Sequence, residues 1–263
     1  MPAGYTHFQF IEDIIKQLPD SQMKDMIIKN KAIFQIGTHG PDIFFYHKVY
    51  NFHDKVNCLG KRMHRENARP FFEKAMSIID DEAKLCYILG FLCHFILDSQ
   101  MHPCVYKIMK ETRIQHFEIE SEYDRLLLKR NKLDPTHSLI YSHIIINEHH
   151  VSTIQAFFPE LSYLDVQEAL LSLKEMDKLL TAPSYLKRGM LYFLFHLTFH
   201  FHKLQGLIIN YHHNIKMEKY YQLLDETYQN SLKEALQYLD TYCLHLNNKT
   251  ALPNRFDQNY KGD

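Results

Sequence analysis

The chain has 263 residues and a formal net charge of -1, with 46% hydrophobic and 23% charged residues. This composition excludes an intrinsically disordered protein, and the near-neutral charge provides no general attraction to nucleic acid, so we expect no stable nucleic-acid binding. Only 8 glycines and 9 prolines occur, which favours helices over a turn-rich β fold. We therefore predict one all-α, multi-helix domain over residues 1–250 and a polar C-terminal tail over residues 251–263.

The spacing of apolar and helix-breaking residues predicts helices over residues 5–17, 20–31, 66–79, 81–101, 112–130, 136–157, 163–180, 184–206 and 217–246. The helix over 184–206 is strongly apolar and carries His196 and His200, which are four residues apart. We expect these two histidines to lie in the core or behind metal ligands, because no carboxylate accompanies them at helical spacing.

The amino-terminal sequence MPAGYTHFQFIEDIIKQ has no basic start, no long apolar core and no cleavage site, so it does not resemble a secretory signal peptide. The 5 cysteines form no CxxC pair, which is typical of proteins in reducing compartments. The longest apolar runs, residues 85–97 and 189–201, are too short to span a membrane. These features predict a cytoplasmic protein without a transmembrane segment, and they leave its oligomeric state open.

A loop is predicted between the second and third helices. Gly37, Gly40 and Pro41 exclude a continuous helix over residues 34–47 and favour a tight turn. Asp42 follows at once and is flanked by apolar residues, so it is expected to be partly buried and to need a cation or several backbone donors. A turn or helix-capping aspartate fits this position equally well.

Potential metal ligands cluster in the central part of the chain. His94 and Asp98 are four residues apart on the apolar helix over 81–101, so they share a face, and a buried carboxylate beside an imidazole needs a counter-charge or a metal. His116 and Glu120 repeat this spacing in the next helix. Between them, His102 directly precedes a proline, so we expect the apolar helix to end there and His102 to turn towards a neighbouring ion.

Imidazole nitrogens and carboxylate oxygens are typical zinc ligands, with bonds of ~2.0–2.2 Å. Two such pairs with an intervening histidine predict two ions close together, and ions ~3.5–4 Å apart can stabilise both the attacking and the leaving oxygen of a phosphate ester. In the alternative, His94 hydrogen-bonds Asp98 in the core while His116 and Glu120 form a surface pair. The repetition of the pattern in one short stretch favours metal.

Several segments together resemble the zinc-dependent phospholipase C family, which is all-α and related to the zinc-dependent single-strand nucleases. The matching segments are MPAGYTH at the start, IGTHGPDIFFY, the Met-His pair at residues 63–64, LGFLCHFILDSQMHP, and the H-x3-E step from His116 to Glu120. The resemblance covers residues 1–125 by motif and the remainder by helical character. It implies an all-α fold of this family.

The resemblance also implies two or three zinc ions. One ion would be held by Asp42, His64, His94 and Asp98. A second ion would be held by His102, His116 and Glu120. Asp98 would bridge to a third ion, held also by His7 and, in secreted members, by the chain's amino terminus.

Two features depart from the secreted members. Those proteins begin with a tryptophan, whereas this chain begins Met1-Pro2 and contains no tryptophan. Removal of Met1 would expose Pro2 as the terminal amine. The separation of Asp42 from His64 is also longer than in the secreted enzymes, so His53 is an alternative ligand.

The ligand pattern and the resemblance together predict a zinc-dependent phosphodiester hydrolase that acts on a phospholipid or a similar phosphate ester. Zinc lowers the pKa of a bound water to about 7, and Asp42 would orient or deprotonate that water as the catalytic residue. One alternative is a phosphodiesterase like the single-strand nucleases, which needs aromatic stacking platforms and a basic groove. Another is a zinc-binding protein without turnover, with closed coordination.

Overall fold

The computed structural model describes residues 4–51 and 53–263, and within these ranges all regular structure is helical, which confirms the all-α prediction. The α-helices are α1 (Gly4–Gln17), α2 (Gln22–Lys29), α3 (Lys31–Gly37), α4 (Lys55–Met63), α5 (Arg69–Met76), α6 (Glu82–Thr112), α7 (His116–Arg130), α8 (Glu148–Phe157), α9 (Tyr163–Leu180), α10 (Tyr185–Leu197), α11 (Phe201–Leu204) and α12 (Tyr221–Asn248). Short 3-10 helices cover Gly40–Phe44, Gln205–Leu207, Ile215–Tyr220 and Asn254–Asp257.

Helix α6 forms the centre of the fold. Every residue from Cys86 to Ser99 is buried, as expected of a helix that is apolar on all sides. Helices α3 and α12 make the most extensive contacts with α6, and α1, α7 and α8 also pack against it. The predicted burial of this helix is therefore confirmed, and its polar residues must be satisfied inside the protein.

Helices α3 and α6 cross at two glycines. A Cβ atom on Gly37 would lie 2.2 Å from the backbone oxygen of Tyr87, and one on Gly90 would lie 2.2 Å from the backbone oxygen of Phe34. Because backbone atoms cannot move aside as a flexible side chain can, any larger residue forces the helices apart. This close crossing holds the segment that follows α3, including Asp42, against α6.

We expect Gly90→Ala to lower the free energy of unfolding by about 1–3 kcal/mol, as overpacking of a core does. Gly189→Ala is the matched control, since Gly189 is also inside a helix but a Cβ atom there would meet no heavy atom of the described chain within 4 Å. Alanine there should raise the free energy of unfolding by about 0.5–1 kcal/mol. Urea denaturation measures both changes, and equal effects of the two substitutions would contradict the close crossing.

The predicted end of the central helix before Pro103 is wrong, because α6 continues through Pro103 to Thr112. Proline removes the backbone donor for the oxygen of Ser99. That oxygen faces the C-terminal segment, where a Cβ on Gly262 would lie 2.4 Å from it. His102 consequently stays on the helix and does not turn away from Asp98.

Only part of the helix predicted over residues 136–157 forms, since α8 begins at Glu148. Asn147 caps α8 by accepting a hydrogen bond from the backbone N–H of His150. Before that cap, the Asp177 carboxylate of α9 accepts backbone hydrogen bonds from Ile140 and Tyr141 at 3.2 and 2.9 Å. These tertiary bonds fix the preceding residues in turns instead of helix.

The C-terminal segment folds back onto the core. Phe256 and Tyr260 are buried, and the ring of Phe256 packs edge-on against Phe72 with centroids 5.2 Å apart. Arg255 donates a hydrogen bond to Ser99 Oγ of α6 at 2.7 Å. The division of the chain at residue 250 stays a prediction, but this segment is held against the middle of α6.

Helix α10 projects from the main core. Leu191 is buried and packs with Ala182 and Ile208 in a small separate cluster. His196 and His200 are exposed, so the prediction that they lie in the core or behind metal ligands is wrong. The apolar composition of α10 predicted that the helix is buried. In the described chain, however, no element covers the face opposite Leu191. Among the described residues, no helix combines the length and apolarity that a membrane crossing requires.

Candidate metal centre

Helix α6 supplies one complete row of potential ligands. His94, Asp98 and His102 follow one another at four-residue steps, so they project from the same face. All three are buried, with His94 fully inaccessible. Burial of two imidazoles and a carboxylate in one row is costly unless other polar groups or a cation face them. Four further elements supply such groups: α1, the 3-10 helix Gly40–Phe44, the end of α4, and α7.

The first group contains Asp42, His64 and His94, whose potential ligand atoms all lie within 4.8 Å of one another. His64 Nε2 lies 3.0 Å from Asp42 Oδ1 and 3.6 Å from Asp98 Oδ2. Asp42 reaches this position because Gly40 has a φ of +48° and a Cβ there would lie 2.3 Å from the His94 ring. Glycine is therefore required for the loop to approach α6.

The second group contains His7, His94 and Asp98. His7 Nε2 lies 3.1 Å from Asp98 Oδ1, and the His7 and His94 rings stack with centroids 4.4 Å apart. Asp124 of α7 holds the first turn of α1, since it accepts hydrogen bonds from the Thr6 backbone at 2.7 Å and the Thr6 hydroxyl at 2.6 Å. The first N–H groups of a helix lack partners within the helix, so a carboxylate acceptor is favoured there. These hydrogen bonds fix the first turn of α1 and thereby hold His7 against α6.

The third group contains His102, His116 and Glu120. His116 Nε2 lies 2.9 Å from Glu120 Oε1, and His102 Nε2 lies 3.9 Å from the same oxygen. The two imidazole rings stack with centroids 5.3 Å apart. Because His116 and Glu120 are one turn apart at the start of α7, the helix brings both to the end of the α6 row.

Backbone carbonyls orient three of the histidines. A carbonyl oxygen only accepts hydrogen bonds, so the contacting Nδ1 must carry the hydrogen and the neutral ring leaves the Nε2 lone pair for the centre. This arrangement is typical of histidines that bind metal through Nε2. The three hydrogen bonds run from His64 to Gly60 at 2.9 Å, from His94 to Thr38 at 3.0 Å and from His102 to Tyr260 at 2.7 Å.

The donor set fits zinc. Several buried atoms that face the centre have no hydrogen bond of acceptable geometry within the described part of the chain: Asp42 Oδ1, His64 Nε2, His94 Nε2 and Asp98 Oδ2. Tetrahedral zinc with bonds of ~2.0–2.1 Å keeps its ligands ~3.3 Å apart. The distance from His94 Nε2 to Asp98 Oδ2 is 3.3 Å. Nitrogen and oxygen donors at this spacing, without hydrogen-bond partners among the described residues, can hold a zinc ion.

Charges within the centre perturb its titration. Burial lowers the pKa of His64, but the nearby carboxylates of Asp42 and Asp98, 3.0 and 3.6 Å from its Nε2, outweigh it and raise the pKa to about 9. Burial raises the pKa of Asp98, but the charges of His94 and His102 and further hydrogen bonds hold it well below its usual value. The Asp98 carboxylate therefore stays anionic, which is the state a metal ligand needs.

A small cavity of ≈ 20 Å³ adjoins the second and third groups. A water molecule needs roughly 10–15 Å³ by this measure, so the cavity has room for one. Its polar wall includes His7, Asp98, His102 and Glu120, and its apolar wall includes Leu97, Met101, Val105, Ile119 and Leu224. A polar atom of a substrate or a water would thus meet groups from both neighbouring sets.

The structure brings all eight predicted ligand residues into these three groups. His64 lies beside Asp42, whereas the alternative His53 is exposed and belongs to none of the groups. The expected contribution of the chain's amino terminus, with Met1 or Pro2, falls on residues 1–3, outside the described residues. The assignment of individual ligands stays a prediction.

Sequence reasoning missed a neighbouring histidine pair. His39 Nε2 lies 2.8 Å from His143 Nε2, and the His39 ring packs edge-on to His7 with centroids 6.4 Å apart. Burial and the charge of His143 hold the pKa of His39 well below its usual value. The only sequence signal was the position of His39 inside the Gly-Pro loop. No pattern pointed to His143 or to the carbonyl of Tyr260.

Comparison with known proteins adds a further observation. The sequence model of the zinc-dependent phospholipase C family matches residues 6–161, more than half of the chain. The chain belongs to this family. The resemblance predicted from the motifs is therefore confirmed, and the family match includes all eight candidate ligands while leaving α9 to α12 outside it. No curated protein and no solved structure gave a significant match.

Proposed function

We propose that this protein is a zinc-dependent phospholipase C-like enzyme that hydrolyses the phosphodiester bond of a phospholipid or a similar phosphate ester. The observation that carries the proposal is that the first two donor groups share His94, while Asp98 faces residues of all three groups. Ions held by such groups would be close neighbours, as in enzymes that cleave phosphate esters. Membership of a zinc-dependent phospholipase family supports the same chemistry.

Two or three zinc ions would be held by His7, Asp42, His64, His94, Asp98, His102, His116 and Glu120. When bound, zinc supplies a Lewis acid for phosphoryl oxygens and acidifies a water to a pKa of about 7. Asp42 would orient that water and accept its proton, because the 3-10 helix that begins at Gly40 places its carboxylate beside His64 and His94. The carbonyl-bound histidines would keep their ligand nitrogens fixed during this step.

The overall charge of the protein favours a phospholipid over a nucleic acid. The net charge of -1 provides no general attraction to a polyanion, and the matched family is described as a phospholipase. A phospholipid is therefore the preferred substrate class in this proposal. The expected cytoplasmic location stays a prediction.

The test is an assay of the zinc-loaded protein on phosphatidylcholine, followed as release of the water-soluble phosphorylated headgroup. We expect turnover that a chelator abolishes and added zinc restores. Single-stranded DNA is assayed in parallel as the substrate of the related nucleases. Cleavage of DNA alone would overturn the lipid assignment, and bound zinc without hydrolysis of either substrate would show a zinc protein without turnover.

A further inference from the structure

Helix α10 exposes a continuous apolar stripe. Leu186, Met190, Phe193 and Leu197 follow at steps of four, three and four residues, so they lie on one face. Leu186 is 87% exposed and Phe193 is 63% exposed. Phe199, in the turn after the helix, is 95% exposed. Single exposed apolar residues are common, but a contiguous stripe marks an interaction surface.

The other face of α10 is firmly attached. Leu191 packs in the small cluster with Ala182 and Ile208. Arg188 is buried, donates a hydrogen bond to the backbone oxygen of Ile209 at 2.6 Å and lies over the Tyr211 ring at 4.0 Å. The stripe is therefore presented by an anchored helix, not by a detached one.

The sequence around the stripe carries exposed lysines and no acidic residue. From Lys178 to Met217 it contains no aspartate or glutamate. Its exposed lysines are Lys178, Lys203 and Lys216, whereas Arg188 is buried and Lys187 donates to the backbone oxygens of Lys178 and Thr181. Apolar side chains bordered by cations complement a surface with anionic headgroups above an apolar layer.

The segment after α10 is fixed beside the metal centre. A Cβ on Gly206 would lie 2.4 Å from the backbone nitrogen of Glu118, so this backbone packs directly on the first turn of α7. Asn214 donates a hydrogen bond to Glu118 Oε1 at 2.8 Å. Glu118 is two residues from His116, so the segment that follows α10 is held against the start of the helix that carries His116.

We propose that α10 and the following segment to Lys203 form a docking surface for anionic lipid bilayers. The helix lies flat at the headgroup level with its stripe inserted, since no helix of the described chain is suited to cross a membrane. A second copy of this chain is an alternative occupant of this surface, and the test below distinguishes it. Binding through this surface does not depend on hydrolysis.

The test is sedimentation of the zinc-loaded protein, on ice, with vesicles made of equal parts phosphatidylcholine and phosphatidylserine, with the intact lipid quantified in each sample. The triple variant Leu186→Ser, Phe193→Ser, Leu197→Ser should bind about 100-fold more weakly than the unaltered protein, because three inserted apolar side chains are lost. Lys203→Glu should weaken binding about tenfold on these vesicles and leave binding to pure phosphatidylcholine unchanged.

The matched control is the triple variant Ile145→Ser, Leu164→Ser, Leu244→Ser, whose side chains are similarly exposed on other elements and which should bind as the unaltered protein does. Equal loss in both triple variants would overturn the docking surface. The docking surface would also be overturned if the unaltered protein formed a dimer that the α10 variant abolishes, or if it bound single-stranded DNA and not vesicles. Because sedimentation measures bound protein and not turnover, failure of the phospholipase assay leaves this result unaffected.

Discussion

Replacing Asp98 with asparagine should remove at least one zinc ion and lower phosphodiester hydrolysis on the order of 10³-fold. The Asp98 carboxylate faces His7 through Oδ1 at 3.1 Å and His94 and His64 through Oδ2 at 3.3 and 3.6 Å. Asparagine keeps the shape of the side chain but removes the charge shared by these imidazoles. A bound metal stabilises the transition state by several kcal/mol. Loss of that stabilisation corresponds to the expected decrease in rate.

The change is followed by elemental analysis of the purified variant and by headgroup release from phosphatidylcholine. Asp177→Asn is the matched control, since Asp177 is also a buried carboxylate but accepts backbone hydrogen bonds from Ile140 and Tyr141. The control should keep its zinc and its activity. Full zinc occupancy in the Asp98 variant would remove Asp98 from the ligand set.

Saturating zinc should raise the melting temperature of the chelator-treated protein by about 10 °C or more. Without metal, the buried carboxylates and imidazoles face one another with poorly aligned contacts, and this desolvation opposes folding. A ligand present at about 1,000 times its Kd adds about 4 kcal/mol for each site. For a chain of this size, each kcal/mol shifts the melting temperature by roughly 2–4 °C.

Differential scanning calorimetry measures this shift with chelator and then with added zinc. Exposed histidines can also bind zinc weakly, and His196 with His200 is the pair to remove as a control. The variant His196→Gln, His200→Gln should keep the whole stabilisation. A shift that disappears in this variant would assign the zinc to the protein surface, and an unchanged melting temperature would argue against a buried metal centre.

The sequence was most informative where local spacing carries the chemistry. The four-residue steps from His94 to Asp98 and from His116 to Glu120 persist in the fold, because both segments form helices that keep residues four apart on one face. The burial of α6 also followed from its composition. These features explain why the candidate centre could be predicted on two helices before its geometry was known.

Tertiary contacts decided the features that were predicted wrongly. Proline normally ends a helix, but α6 passes through Pro103 and the Ser99 oxygen that loses its donor there faces Gly262, so His102 stays in the ligand row. An apolar helix is normally buried, yet α10 is covered on one face only. Burial depends on whether other elements of the chain pack against the helix, which its own sequence does not reveal. The contact from His102 to the carbonyl of Tyr260 joins distant positions that no local pattern connects.

The most direct measurement is anomalous diffraction at the zinc absorption edge from crystals of the zinc-loaded protein. We expect strong anomalous peaks among the side chains of Asp42, His64, His94 and Asp98 and between His102, His116 and Glu120, with any third peak beside His7 and Asp98. Absence of anomalous density between these residues, or density only at exposed histidines such as His196, would contradict a metal centre at this position.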